Sequence, residues 1–159
     1  MRHSNRLIAL LFGGFVIYFF SYSCQGSEFA PQAGKELKGP IFITGFDITD
    51  SSLTLVDSTT GHDASYVRVS KSQLINWVNK VPGKIEIIEI KPDPNYQPND
   101  SSFFSPDDLP HRLGNSPRWE AKIGSPSNSG ILIEKYNIKW ALKSTNDTFV
   151  YDPLLQLNP

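Results

Sequence analysis

The sequence predicts an all-β fold, an antiparallel β-sandwich, and three observations carry that prediction. Short runs of β-branched and aromatic residues recur from Ile41 onward, turn-forming residues punctuate them, and apolar and polar residues alternate within them. A chain of 159 residues with 39% hydrophobic and 12% aromatic content is enough for one packed core.

The first run, Ile41 to Ile48, places Ile41 and Ile43 in one phase and Phe46 and Ile48 in another, which predicts a bulge at Gly45. Leu53 to Val56 and Tyr66 to Val69 follow. Ser70 to Asn79 fits two descriptions. Ser70 with Gln73 has capping-box spacing for a short helix, whereas Leu74, Ile75, Trp77 and Val78 suit a strand, and strand is the reading adopted. Val81, Pro82 and Gly83 predict chain reversal, with proline presetting the first central torsion and glycine accepting a positive one. Ile85 to Ile90, Trp119 to Ile123, Ile131 to Leu142 and Phe149 to Tyr151 complete the set. In the longest run Tyr136, Ile138, Trp140 and Leu142 should face inward and Asn137, Lys139 and Ala141 outward. Ile131 and Ile133 are out of phase with them, which implies a bend near Glu134. Lys143 to Thr148 reads as the turn into the last strand. Trp77, Trp119 and Trp140 are assigned to the core, the commoner fate of aromatic residues on alternating strands.

Arg2 and Arg6 precede an apolar run from Leu7 to Phe20, and Ser21, Tyr22, Ser23 and Cys24 follow directly. This is the order of a signal peptide, and the run is shorter than the roughly 20 apolar residues that cross a bilayer. Residues 1–23 are expected to be a signal peptide, 24–40 a flexible tether and 41–159 the sandwich domain. Cys24 stands where bacterial lipoproteins carry the lipid-bearing cysteine, and the segment resembles a lipobox with Ser21 in the place usual for Leu. The other reading is ordinary secretory cleavage beside an incidental cysteine. Because Cys24 is the sole cysteine and an unpaired thiol in an exported protein calls for a use, lipid attachment at Cys24 is the expectation. The expected setting is the bacterial cell envelope, with membrane contact through that anchor. A secreted or periplasmic protein is the alternative.

Without Arg2 and Arg6 the chain holds 13 basic against 16 acidic residues, a net of −3 with no basic block, which argues against nucleic acid as a partner. Lys91 to Pro117 is a long segment rich in Pro, Asn, Asp and Ser, with Phe103, Phe104, Leu109 and Leu113 as its apolar anchors. Long loops of this kind tend to carry function, so Phe103, Phe104, Asp107, Asp108 and His111 form the candidate binding loop. A covering flap pinned by Phe103 and Phe104 is the equal alternative.

His62 beside Asp63 and His111 after Asp107 and Asp108 lack a spaced second ligand, so no metal and no cofactor is assigned. Glu86 and Glu89 are three apart on a strand, which puts them on opposite faces. No G-x-S-x-G elbow, glycine-rich phosphate loop or dinucleotide fingerprint occurs. The expected role is non-catalytic, either binding of a protein or glycan partner through the loop or a structural one, and a purely structural spacer predicts no cleft at all. The competing expectation is a hydrolase using His62 or His111 as base.

The stretch from Val67 and Val69 through Ser70, Lys71, Ser72, Gln73, Leu74, Ile75, Asn76, Trp77, Val78 and Asn79 is similar to the cupredoxin-like pattern of a valine strand, a turn and a V-x-W-x-N strand. Ser72 sits where that pattern usually has glycine. Phe104 with Pro106, Trp119, Tyr136 with Ile138, and the ending Tyr151, Asp152, Pro153, Leu157, Asn158, Pro159 resemble small uncharacterised exported bacterial lipoproteins. The resemblance covers most of residues 65–159 and implies a copper-free cupredoxin-like, or immunoglobulin-like, sandwich with no known activity. A blue-copper site needs Cys, His and Met together, and here the only cysteine is Cys24 and the only methionine Met1.

Overall fold

The computed structural model describes residues 33–95, 102–125 and 132–157. The expected signal peptide, Cys24, the first part of the expected tether, Ile131, the 96–101 part of the Pro-rich loop and the final Asn158 and Pro159 lie outside the described residues. Among those described, eleven strands form two sheets and no helix occurs. The first sheet runs β1 (Lys35–Glu36), β4 (Tyr66–Val69), β11 (Leu154–Leu157), β9 (Leu132–Leu142) and β10 (Thr148–Tyr151), with β6 (Ile85–Pro92) along the other edge of β9. The second runs β3 (Ser52–Asp57), β2 (Ile41–Asp47), β5 (Leu74–Asn79), β8 (Arg118–Lys122) and β7 (His111–Arg112).

The all-β expectation holds, but the sheets are mixed where an antiparallel sandwich was expected. β1 with β4, β4 with β11 and β2 with β5 are parallel pairs. The cause is the route of the chain, which changes sheet between β3 and β4, again before β5 and again before β6. Strands that become neighbours are thus not consecutive, and nothing forces them to alternate in direction. β10 and β11 follow β9 in one register, interrupted only at Asp152 and Pro153, and the Tyr136 N–H donates to the Pro153 carbonyl at 3.1 Å inside that gap.

Folding begins before Ile41. β1 pairs with β4, Leu37 is buried, and the Gly34 N–H donates to the buried Gln156 side chain at 2.8 Å. A side chain at Gly34 would meet the Val67 and Arg68 backbone at 3.0 and 3.1 Å, so glycine allows this close approach. The later part of the expected tether therefore belongs to the sheet. Asp57 secures the entry to β2 from the second sheet. Its buried carboxylate accepts the N–H groups of Lys38, Thr59 and Thr60 at 2.8, 2.8 and 3.2 Å.

The bulge expected near Gly45 is present, as the β2 register against β3 shifts between Ile43 and Gly45. A second shift, between Ile87 and Glu89, corrects the sequence reading of β6. The extra residue, Ile88, restores the phase, so that Glu86 and Glu89 are both outward, opposite Ala141 and Lys139, and not on opposite faces. The Val81–Lys84 reversal forms with Lys84 N–H on the Val81 carbonyl at 2.9 Å, but Gly83 is not among the residues with positive φ. The Asn79 side chain closes this turn instead, donating to the Ile85 carbonyl at 3.0 Å and accepting from the Val81 N–H at 2.9 Å.

Ser70 to Gln73 forms a turn before the strand. Half of the capping-box bond is made, Ser70 N–H to Gln73 Oε1 at 2.8 Å, yet Ser72 at φ +62° leaves no helical path and β5 starts at Leu74.

Both sheets contribute to one core. Trp77 from β5 donates its indole N–H to the Tyr136 hydroxyl of β9 at 3.1 Å, and Phe104 packs against both rings, with centroids 6.2 and 6.1 Å away. Trp140 lies between Phe46 and Phe149 at 5.6 and 4.5 Å. All three tryptophans are core residues, as expected. Burying each large side chain contributes about 1.5–3 kcal/mol, which a chain without an internal disulfide needs.

Tyr136→Phe leaves the Trp77 N–H buried without an acceptor. It should cost about 1–3 kcal/mol in urea unfolding with an unchanged m-value, and a loss within experimental error would mean that the bond does not tie the sheets.

Candidate functional site

The Pro-rich loop leaves β6 at Pro92 and re-enters the described fold at Ser102. Phe103 and Phe104 are 1% and 2% exposed, so the flap alternative describes them and they offer no surface to a ligand. The chain then runs antiparallel to the end of β8. Phe104 bridges to Ile123, the Gly124 N–H donates to the Phe103 carbonyl at 2.6 Å, and the Ser105 N–H to the Lys122 carbonyl at 2.8 Å.

Glu134 fixes this insertion from the opposite sheet. Its side chain is fully buried on β9, one Oε accepting the Ser102 hydroxyl at 2.6 Å and the other the Phe103 N–H. Ser102 Oγ in turn accepts the Phe104 N–H at 3.1 Å. Burial pushes the Glu134 carboxyl up to about 7, against which its two donors pull down. The sequence reading placed a bend here, yet β9 keeps one alternation through Glu134, Tyr136, Ile138 and Trp140. The signal was available, since Glu134 shares the phase of the inward row, but a carboxylate in a core row is penalised unless its donors are known.

Beyond Ser105 the loop turns outward. Asp107 is exposed, Asp108 and half-exposed His111 flank Leu109 and Pro110 in sequence, and Leu109 and Pro110 line an open groove of about 620 Å³. Ile88 to Pro92 of β6 form one side, Leu109 and Pro110 the other, and Trp119 is shared with a recess of about 40 Å³ next to it. Ile88 and Leu109 are 44% and 49% exposed, two large apolar side chains left in water on either side of the groove. Glu86 and Arg112, paired at 3.2 Å, tie β6 to β7 beside the recess.

His111 is half exposed and braced. Nδ1 lies 2.9 Å from the Leu109 carbonyl and 3.4 Å from Asp108, and Nε2 lies 3.6 Å from Glu120. The proton on Nδ1 serves the Leu109 carbonyl, so the ring acts as a strut between loop and β8. His62 sits on the exposed turn after β3, with its backbone N–H on Thr60 Oγ1 at 3.3 Å and its carbonyl accepting from Asp57. No serine hydroxyl hydrogen-bonds to either imidazole among the described residues. Thus the structure brings Asp108 and His111 together, leaves Asp107 apart on the surface, and removes Phe103 and Phe104 to the core.

Glu134 holds more protons folded than unfolded between its ordinary value of 4.5 and about 7, so its contribution to stability falls as pH rises through that window and then levels off. The Tm difference between wild type and Glu134→Gln should therefore move toward the variant from about pH 5 to about pH 8, and a pH-independent difference would show that the carboxyl is not buried in the folded state.

Neither a family model nor a curated protein matches the chain.

Proposed function

We propose that this chain is an exported protein of the bacterial cell envelope, anchored by a lipid on Cys24, whose sandwich binds a protein or glycan partner and acts by binding instead of catalysis. The observation that carries the binding role is the pair of exposed apolar side chains, Ile88 and Leu109, facing one groove beside the Pro-rich loop. Isolated exposed apolar residues are ordinary, but two that flank a concave site with a buried indole are a recognition surface. β6 adds to it as an edge strand, paired among the described residues with β9 alone. The charged leader, its short apolar run and the single cysteine support the anchored setting.

The two-sheet core around Trp77, with the Asn79 side chain closing the following turn, supports a cupredoxin-like or immunoglobulin-like sandwich that has no copper. A fold of this kind serves many functions, so the binding role rests on the groove and not on the architecture.

Two measurements test the reading. The mass of the mature N-terminus from cells should equal that of a chain starting at Cys24 with a diacylglycerol group; an unmodified Cys24 removes the anchor. Ile88→Glu combined with Leu109→Glu, both at exposed positions, should keep the Tm and reduce partner recovery from envelope extracts at least tenfold, on the order of two lost apolar contacts. Identical recovery by variant and wild type would refute the groove.

A further inference from the structure

The free border of β6 is closed over its first half and open over its second. The Asp93 N–H donates to the Lys135 carbonyl at 3.0 Å, and in an antiparallel ladder residues that exchange bonds with one neighbour alternate with residues that face the other way. Counting back from Asp93, Lys91 and Glu89 turn their backbone groups to β9, and Ile90 turns its N–H and carbonyl to the border. At Ile85 the outward groups are taken, the carbonyl by the Asn79 side chain at 3.0 Å and the N–H by the Val81 carbonyl at 3.2 Å, and Glu86 is tied to Arg112. Among the described residues no such bond reaches the Ile90 backbone from that side. The open stretch runs from Ile88 to Pro92, and these same residues line the groove.

The sequence of this stretch is complementary to itself when laid in the opposite direction. An antiparallel copy centred on Ile90 sets Ile90 against Ile90, Glu89 against Lys91, and Ile88 against Pro92. Glu89 and Lys91 both point to the outer face of the first sheet, where they lie 2.9 Å apart, so each also meets the opposite charge across the border. A copy centred on Glu89 or on Lys91 instead sets like charges together, and charge thereby selects the register. Pro92 has no N–H to donate and ends the ladder on either side, which keeps the pairing short.

We propose that two copies of this chain join through their β6 borders, an inference that rests on the groove being a recognition surface and names the protein that occupies it. Each Ile90 N–H donates to the Ile90 carbonyl of the other copy, a Glu89–Lys91 contact flanks the centre on either side, and the first sheets of the two copies become one continuous sheet. Exposed Ile88 is covered in the same step by Pro92 of the other copy. The pairing is isologous, with one stretch serving as both site and ligand, so it closes at two copies.

The test uses the full mature chain carrying Cys24→Ser, so that no acyl group drives association. Sedimentation equilibrium should show monomer and dimer exchanging with concentration, and the Ile90 amide should exchange its hydrogen more slowly as the dimer fills. Glu89→Lys and Lys91→Glu, both at partly exposed positions, should each stay folded by circular dichroism and dimerise at least about tenfold more weakly, because like charges then face each other twice per dimer. An equimolar mixture of the two variants should recover the wild-type affinity, since each supplies the charge the other lacks, and so should one chain carrying both changes. A monomer at every concentration, dimers indifferent to both reversals, or no recovery on mixing would each overturn the proposal. If the wild type is monomeric while Ile88→Glu with Leu109→Glu still loses its partner from envelope extracts, self-pairing falls and the groove reading stands. If pairing follows the charge reversals while that double variant keeps full recovery from extracts, the role given to the two exposed apolar side chains falls and the pairing stands.

Discussion

The hydrogen bond from the Trp77 indole to the Tyr136 hydroxyl joins the two sheets at their middle, and much of the remaining architecture depends on it. A bond between two buried side chains from different sheets fixes their separation and their lateral offset together, which dispersion alone leaves soft. With that offset set, Phe104 fills the space beside both rings, and the loop that carries Phe104 can enter at only one place. The wall of the groove, Leu109 and Pro110, follows a few residues on, so its position is inherited from the core.

Among the described residues two carboxylates are buried, and the number of donors around each decides its charge. Burial raises the Asp57 carboxyl, but the backbone N–H groups of Lys38, Thr59, Thr60 and Gly39 outweigh it and hold the group below the ordinary value of 3.8. Asp57 thus stabilises the fold above its unfolded value, and this is lost as pH falls through the folded one. Glu134 meets one hydroxyl and one N–H, too few to offset burial, and its preference runs the other way. The first residue closes the entry to the fold and the second closes the loop, with opposite responses to acid.

Alternation made much of the fold legible. The inward row Tyr136, Ile138 and Trp140, the bulge at Gly45, the span of β4 and the core placement of all three tryptophans can be read from spacing. Neighbour relations cannot, because period-two patterns say which face is buried and not which strand lies alongside, and the three parallel pairs were hidden for that reason. β1, β7 and β11 are too short, or too polar, for a pattern to form. Of the candidate site, the loop was visible by its composition. The fate of Phe103 and Phe104 was not, since it depends on Glu134, thirty residues away in sequence and on another strand.

β11 is the last strand of the chain to be made, yet it occupies an interior slot of the first sheet, with β4 on one side and β9 on the other. β4 reaches β9 only through it. A polypeptide emerging from its N-terminus therefore carries two open, unpaired strand borders until Leu154 to Leu157 arrive, and closure spans nearly ninety residues between Val67 and Leu155. Such a topology leaves β4 without its inner neighbour until the last residues of the fold are made, so the first sheet closes late while the second can form earlier.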